Sequence, residues 1–220
     1  MIGYKFLNPD GTGPYSGFSW PLPLQQDLPS AWVEVRGRLQ LCRNGIHACR
    51  VAQLPYWWGP QLWEIELTEP ITDAGRVVLG ARGRLLRQVG AWDELTMRRY
   101  AQACAWRLRD HSMARLRARG RADAAHALAA STGLDSLAAT ATALVDAVPD
   151  EFIAGYLADA ASFATGSMAL VKAVPYVTAH AAGCASGQER CPAYEQGYRA
   201  ERQWQAAWLA EQLGLCSAAR

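Results

Sequence analysis

The chain lacks any apolar run long enough to cross a bilayer: its softest stretch, residues 167–183, is interrupted by Lys172, Pro175 and His180 and falls short of the ~20 residues a spanning helix needs. Its opening, Met1-Ile2-Gly3-Tyr4-Lys5-Phe6, has neither the basic leader nor the apolar segment of an export signal, which predicts a cytoplasmic protein without a membrane segment. Six cysteines in 220 residues are too few for a disulfide scaffold, and no CxxC occurs. Charge is sparse as well. With 19% charged residues, a net charge of +2 and 50% hydrophobic residues, the composition excludes a disordered chain and predicts a folded core. No phosphate-binding glycine loop, GxSxG elbow, HExxH pair or internal repeat is present, so the common enzyme signatures are missing.

What is there divides into two kinds of sequence. Together they predict an α+β protein, a small and mostly antiparallel sheet followed by an all-helical bundle. Residues 1–90 read as strands and turns. Asn8-Pro9-Asp10-Gly11-Thr12-Gly13 combines a φ-fixing proline with two glycines, the makings of a turn, and Pro14, Pro21, Pro23 and Pro29 exclude a helix beyond it. The segments from Trp32 to Arg36, Leu39 to Cys42 and Leu62 to Leu67 alternate with period two; in the last, Trp63, Ile65 and Leu67 face one way and Glu64 and Glu66 the other. Residues 75–79 and 84–86 supply one or two more strands, about five in all. Asn44-Gly45 predicts a two-residue hairpin loop, because a tight turn between twisted strands wants positive φ there.

From Trp92 the period lengthens. Met97, Tyr100, Ala101, Cys104, Leu108 and His111 share one face of a helix starting near Asp93. The alanine-rich residues 121–147 and 150–183, with cap signals at Ser131, Asp135 and Asp150 and breaks at Pro149 and Gly166, predict three or four short helices. Residues 193–213 predict a last helix ending before Gly214. The expected division is therefore a β-rich domain over 1–90, carrying the Cys42 hairpin, and an alanine-rich helical domain over 91–220. Counting Lys and Arg against Asp and Glu, residues 1–90 carry +2, 91–130 carry +4 and 131–220 carry −4.

The predicted hairpin concentrates the candidate chemistry. A two-residue loop at Asn44-Gly45 pairs Cys42 with His47 and Gln40 with Cys49, so Cys42, His47 and Cys49 converge on one face. Thiolate and imidazole are ligands zinc prefers, which makes the three a candidate zinc set with a fourth position for protein or water; the other reading is two small buried thiols beside a hydrogen-bonded histidine. His180, Cys184 and Cys191 form a looser cluster before the last helix, open to zinc, a disulfide or plain packing. Tyr56, Trp57 and Trp58, bracketed by Pro55 and Pro60, either present an aromatic surface to a ligand or partner or plug the core of the small sheet. The run from Arg107 to Arg121, with Arg115, Arg117 and Arg119, is a candidate nucleic-acid contact, although its arginines scatter around the helix. Glu201 and Gln205 sit in an aromatic stripe with Tyr194, Tyr198, Trp208 and Leu209 and predict an interhelical polar contact.

Gly3-Tyr4-Lys5-Phe6-Leu7-Asn8, Cys42, Gly45-Ile46-His47-Ala48-Cys49 and Trp63-Glu64-Ile65-Glu66-Leu67 resemble an uncharacterised domain of bacterial and phage proteins, in which a GYK-type start precedes a cysteine and a G-[FI]-H-A-C core. The resemblance spans about residues 1–90 and implies no activity. The helical half, through Glu201 to Leu209, is similar to the tails of uncharacterised actinobacterial proteins. Gly45-Ile46-His47-Ala48 with Tyr56 is also similar to a Gly-Ile-Tyr-Phe-Ala strand and downstream tyrosine of ADP-ribosyltransferases, which implies NAD beside His47 and Tyr56. The chain departs from that family in lacking a histidine in the first strand and an assignable catalytic glutamate, Glu64 and Glu66 included. Two functions follow as expectations: a non-catalytic binding or interaction protein, with a protein among its possible partners, using His47, Tyr56, Trp57 and Trp58, and a degenerate NAD-consuming transferase.

Overall fold

The computed structural model describes residues 1–25, 28–148 and 152–215. Its fold is α+β, with five strands in the N-terminal part followed by seven helices. The strands are β1 (Ile2–Leu7), β2 (Val33–Glu34), β3 (Ile46–Ala48), β4 (Gln61–Asp73) and β5 (Val78–Gln88). The helices are α1 (Glu94–Ala118), α2 (Ala122–Ala129), α3 (Leu134–Ala147), α4 (Ile153–Thr165), α5 (Met168–Val171), α6 (Val174–Ser186) and α7 (Pro192–Leu213). The break and cap expected at Pro149 and Asp150 lie outside the described residues. The chain forms two units, one of Met1–Glu94 with Ala206–Arg220 and the other of Leu95–Gln205.

In the first unit every strand pair is antiparallel, in the order β1-β4-β5-β2 with β3 also on β5. Alternation along β4 buries Trp63, Ile65 and Leu67 and turns Glu64 and Glu66 outward, where they form ion pairs with Arg87 and Arg84 of β5. One further bridge ties the far edge of β1 to the chain just after β3: the Tyr4 N–H donates to the Cys49 carbonyl at 2.8 Å and the Cys49 N–H to the Tyr4 carbonyl at 2.7 Å. The path β1-β4-β5-β3 thus returns to β1. It surrounds a core of Leu7, Trp20, Ile46, Ala48, Ile65 and Leu67.

Residues 78–79 and 84–86 belong to one strand, β5, which runs through Gly80 and Gly83, so the expected one or two strands are one. Those glycines let the sheet close over Leu67: a Cβ at Gly83 would meet Leu67 Cδ2 at 2.8 Å and the Glu66 carbonyl at 3.2 Å. The hairpin expectation is corrected. Gln40 and Asn44 bridge each other, so the bend is Leu41-Cys42-Arg43 and Cys42 takes a positive φ of 60°. The Asn44 side chain holds this bend by donating to the carbonyls of Arg36 at 2.9 Å and Arg38 at 3.1 Å. Residues 46–48 then pair with β5 instead of residues 40–42, an arrangement that buries both Ile46 and Ala48.

The helical unit follows its apolar spacing more closely. Met97, Tyr100, Ala101, Cys104 and Leu108 of α1 are buried as expected, but the face continues through Ser112 and Leu116 while His111 is exposed. Gly166 caps α4. Proline begins α7, and Gly214, at φ 60°, ends it. The polar residues in the aromatic stripe of α7 make the expected interhelical contacts. Glu201 accepts from Arg107 Nε of α1 at 2.8 Å, and the Gln205 amide donates to the Pro175 carbonyl at 2.9 Å and Thr178 Oγ1 at 3.1 Å at the start of α6. Gln205 Oε1 in turn accepts from Arg202 Nη1 at 2.9 Å. The buried side chains of Glu201, Arg202 and Gln205 are tolerated because each is hydrogen-bonded, although Glu201 Oε1 has no hydrogen-bond partner among the described residues.

Candidate functional site

A cavity of about 520 Å³ opens within the first unit. Its floor is β1 and β3, which bring Lys5, Phe6 and His47 together with Cys49; the loop after β1 brings Tyr15, Phe18 and Trp20 over them, and the Cys42 bend, Val33 and Val35 form the other side. The loop is shaped by short polar contacts: Asp10 accepts from the Thr12 hydroxyl at 2.7 Å, and the Gly13 N–H donates to the Phe18 carbonyl at 2.9 Å. Edge-to-face contacts then link Phe18 to Trp20 at 5.6 Å and Tyr15 to Trp57 at 5.6 Å, so loop and floor share one aromatic wall.

Lys5 is half-buried in the cavity lining. Alternation along β1 sends Tyr4 and Phe6 one way and Lys5 the other, beside Trp20, whose ring centroid lies 4.7 Å from Nζ. Nζ donates to the His47 carbonyl at 2.9 Å. Burial lowers the Lys5 pKa from the usual 10.5 to about 8. Among the described residues no carboxylate forms an ion pair with it, and the cavity lining contains neither Asp nor Glu. Sequence reasoning noticed Lys5 only as part of the opening motif. The available signal was a single lysine inside the apolar strand Tyr4-Lys5-Phe6-Leu7, in a chain where Lys5 and Lys172 are the only lysines among 22 Lys and Arg residues.

His47 and the two thiols all line this cavity, but not in the way the hairpin predicts. His47 Nε2 accepts the Cys42 backbone N–H at 3.2 Å. Burial and the neighbouring Lys5 lower the histidine's pKa, in keeping with a neutral ring nitrogen that accepts this bond. Burial pushes the Cys49 thiol up to about 12, against the ionised form that a metal takes. Cys42, His47 and Cys49 therefore share a wall of one cavity with the imidazole already committed, and among the described residues no group of three His, Cys, Asp or Glu side chains is arranged to hold a metal ion.

The aromatic segment splits three ways. Trp57 faces the cavity and donates through Nε1 to the Arg76 carbonyl at 2.6 Å. Trp58 packs edge-on against Trp92 at 5.2 Å, and Tyr56 lies under the Arg76 guanidinium at 5.1 Å. All three are half-buried, so the segment both plugs the unit and supplies one cavity residue. In the helical unit, Arg107 is held by Glu201 and Trp204, Arg109 by Asp110 and Trp106, and Arg115 by the Ala185 carbonyl and Phe152. Arg117, Arg119 and Arg121 remain at the surface. Cys184 Sγ lies 3.6 Å from His180 Nε2, as their spacing predicts, and the Cys191 thiol accepts the Tyr194 N–H at 3.4 Å; Cys184 and Cys191 are both free thiols.

Fold and site together define an α+β protein with an aromatic-walled cavity above a lysine. No protein-family model, curated protein or solved structure matches the chain.

Proposed function

We propose that this is a non-catalytic binding protein whose N-terminal unit takes a small, largely apolar ligand in the cavity between β1, β3 and the loop of residues 13–20. The observation that carries the reading is the cavity itself: at about 520 Å³, its volume lies inside the range of about 300–1,000 Å³ typical of ligand sites, and aromatic side chains from separate segments line it. Its titratable groups favour binding over chemistry. The imidazole of His47 already holds the Cys42 bend, and burial keeps the Cys49 thiol protonated, so neither is free to act as base or nucleophile. The likeness of residues 1–90 to a bacterial and phage domain fits an accessory factor from such a source without adding an activity.

Titration with phenylnaphthylamine, a neutral dye that fluoresces in apolar surroundings, tests the reading. One saturable site is expected, weakened by Trp57→Ala and blocked by Val35→Trp, which fills the cavity. A dye that finds no saturable site, or that binds the Val35→Trp protein as well as the wild type, refutes it.

The NAD reading rests on the likeness of Gly45-Ile46-His47-Ala48 and Tyr56 to ADP-ribosyltransferases. Glu64 and Glu66, the nearest glutamates on β4, are held by Arg87 and Arg84, and Tyr56 is not among the residues lining the cavity. Incubation with NAD is expected to release no nicotinamide.

A further inference from the structure

We infer that the ligand of this cavity is an amphipathic anion, a flat apolar body bearing a single acidic group, and that Lys5 holds that group at the cavity floor. The inference rests on the binding reading and adds a chemical class to it.

An ammonium has three N–H donors. At Lys5 one goes to the His47 carbonyl and one face of the group rests on Trp20, which leaves donor capacity directed into the cavity. A charge withdrawn from water without a counter-ion is unfavourable, and natural cores seldom retain one that does no work. Among the described residues that line this site, none supplies a counter-charge. The lining contains no carboxylate, the imidazole is neutral, and the Cys49 thiol keeps its proton. The other cation of the lining, Arg43, stands exposed at the Cys42 bend and adds to the same sign of potential. An incoming anion would supply the missing counter-charge and accept the remaining N–H groups, while its apolar body would lie against Tyr15, Phe18 and Trp57. Of the two cations of the lining only Lys5 is buried to any extent, which favours one compact acidic group over a polyanion.

Anilinonaphthalene sulfonate and phenylnaphthylamine share one ring skeleton and differ in the sulfonate, so the pair isolates the acidic group. Near pH 7 the wild-type protein is expected to bind the sulfonate at least about tenfold more tightly than the neutral dye. Lys5→Met should remove that preference while still binding phenylnaphthylamine, which also verifies that the variant folds; Lys5→Gln should behave alike. Arg43→Ala should weaken the sulfonate by no more than about threefold. A wild-type readout needs no substitution: the preference should fade as pH rises from about 8 toward 10, as the Lys5 ammonium is lost. His47 on β3, Cys49 just after it, Tyr4 on β1, Tyr15 in the loop, and Cys42 and Arg43 in the bend also line the cavity, and comparison with Lys5→Met controls for their contributions. Equal affinity for the two dyes in the wild type, or a preference that survives in Lys5→Met, overturns the inference and leaves the binding reading intact. Failure of both dyes to bind overturns the binding reading itself.

Discussion

Replacing Lys5 with methionine should stabilise the protein at neutral pH, and the size and pH range of the gain follow from its surroundings. Burial lowers the Lys5 pKa from 10.5 to about 8. At about 1.4 kcal/mol per pH unit, the protonated side chain is disfavoured in the folded state by roughly 3 kcal/mol. Partial exposure of the side chain and loss of its hydrogen bond to the His47 carbonyl reduce the net gain of the variant to about 1–2 kcal/mol. Between about pH 8 and 10.5 the unfolded lysine holds its proton while the folded one has released it. Wild-type stability contributed by this group therefore rises through that window, and the penalty is fully present only below it. The methionine variant has no such rise, so the gap between the two proteins should be widest near pH 7 and close by about pH 10. Cys49 acts in the opposite direction above pH 9, because its thiol stays protonated only in the folded state; it does so in both proteins, and in the variant the loss of the Lys5 charge, which lowers the Cys49 pKa, works in the same sense as the closing of the gap. Chemical denaturation followed by tryptophan fluorescence measures both curves. A variant no more stable than wild type at pH 7, or a gap that persists unchanged at pH 10, refutes the reasoning.

Trp57→Ala and Trp58→Ala should separate binding from stability: the first weakens phenylnaphthylamine by several-fold, whereas the second leaves the dye's affinity unchanged and lowers stability by about 2–3 kcal/mol through loss of the Trp92 contact. Gln205→Leu should destabilise the helical unit by about 1–3 kcal/mol, because it removes the buried hydrogen bonds that Gln205 makes to the Pro175 carbonyl, Thr178 Oγ1 and Arg202 Nη1, and thermal unfolding followed by circular dichroism reads the loss. Prolonged chelation with EDTA should leave the thermal midpoint within about 1 °C of its starting value, since His47 Nε2 is committed to the Cys42 backbone. Stoichiometric zinc by elemental analysis, lost together with stability on chelation, would return Cys42, His47 and Cys49 to a metal site.

Local periodicity made part of this fold legible. The alternation of Trp63, Ile65 and Leu67 against Glu64 and Glu66 is visible because side chains in a strand repeat every second residue, and both glutamates found cross-strand arginines. The last helix announces itself through Pro192 and Gly214, and its polar pair, Glu201 and Gln205, made the contacts that two buried polar groups require. Long-range choices were less visible. That one strand runs through Gly80 and Gly83 depends on Leu67 packed against them, and Asn44-Gly45 looks like a two-residue turn until the Asn44 amide is seen holding the carbonyls of Arg36 and Arg38. The candidate site was legible in its members and not in its shape. His47, Cys42, Cys49 and Trp57 all line the cavity, but its floor depends on the bridge between Tyr4 and Cys49, two residues far apart in the chain. Only that closure turns Lys5 from a residue of the opening motif into a partly buried charge beneath an aromatic wall.

The most direct test is a crystal structure of the protein with anilinonaphthalene sulfonate bound. The account predicts the aromatic rings between the loop of residues 13–20 and Trp57, with a sulfonate oxygen about 3 Å from Lys5 Nζ. Rings seated elsewhere on the protein, or a sulfonate turned out to solvent with Lys5 untouched, would contradict it.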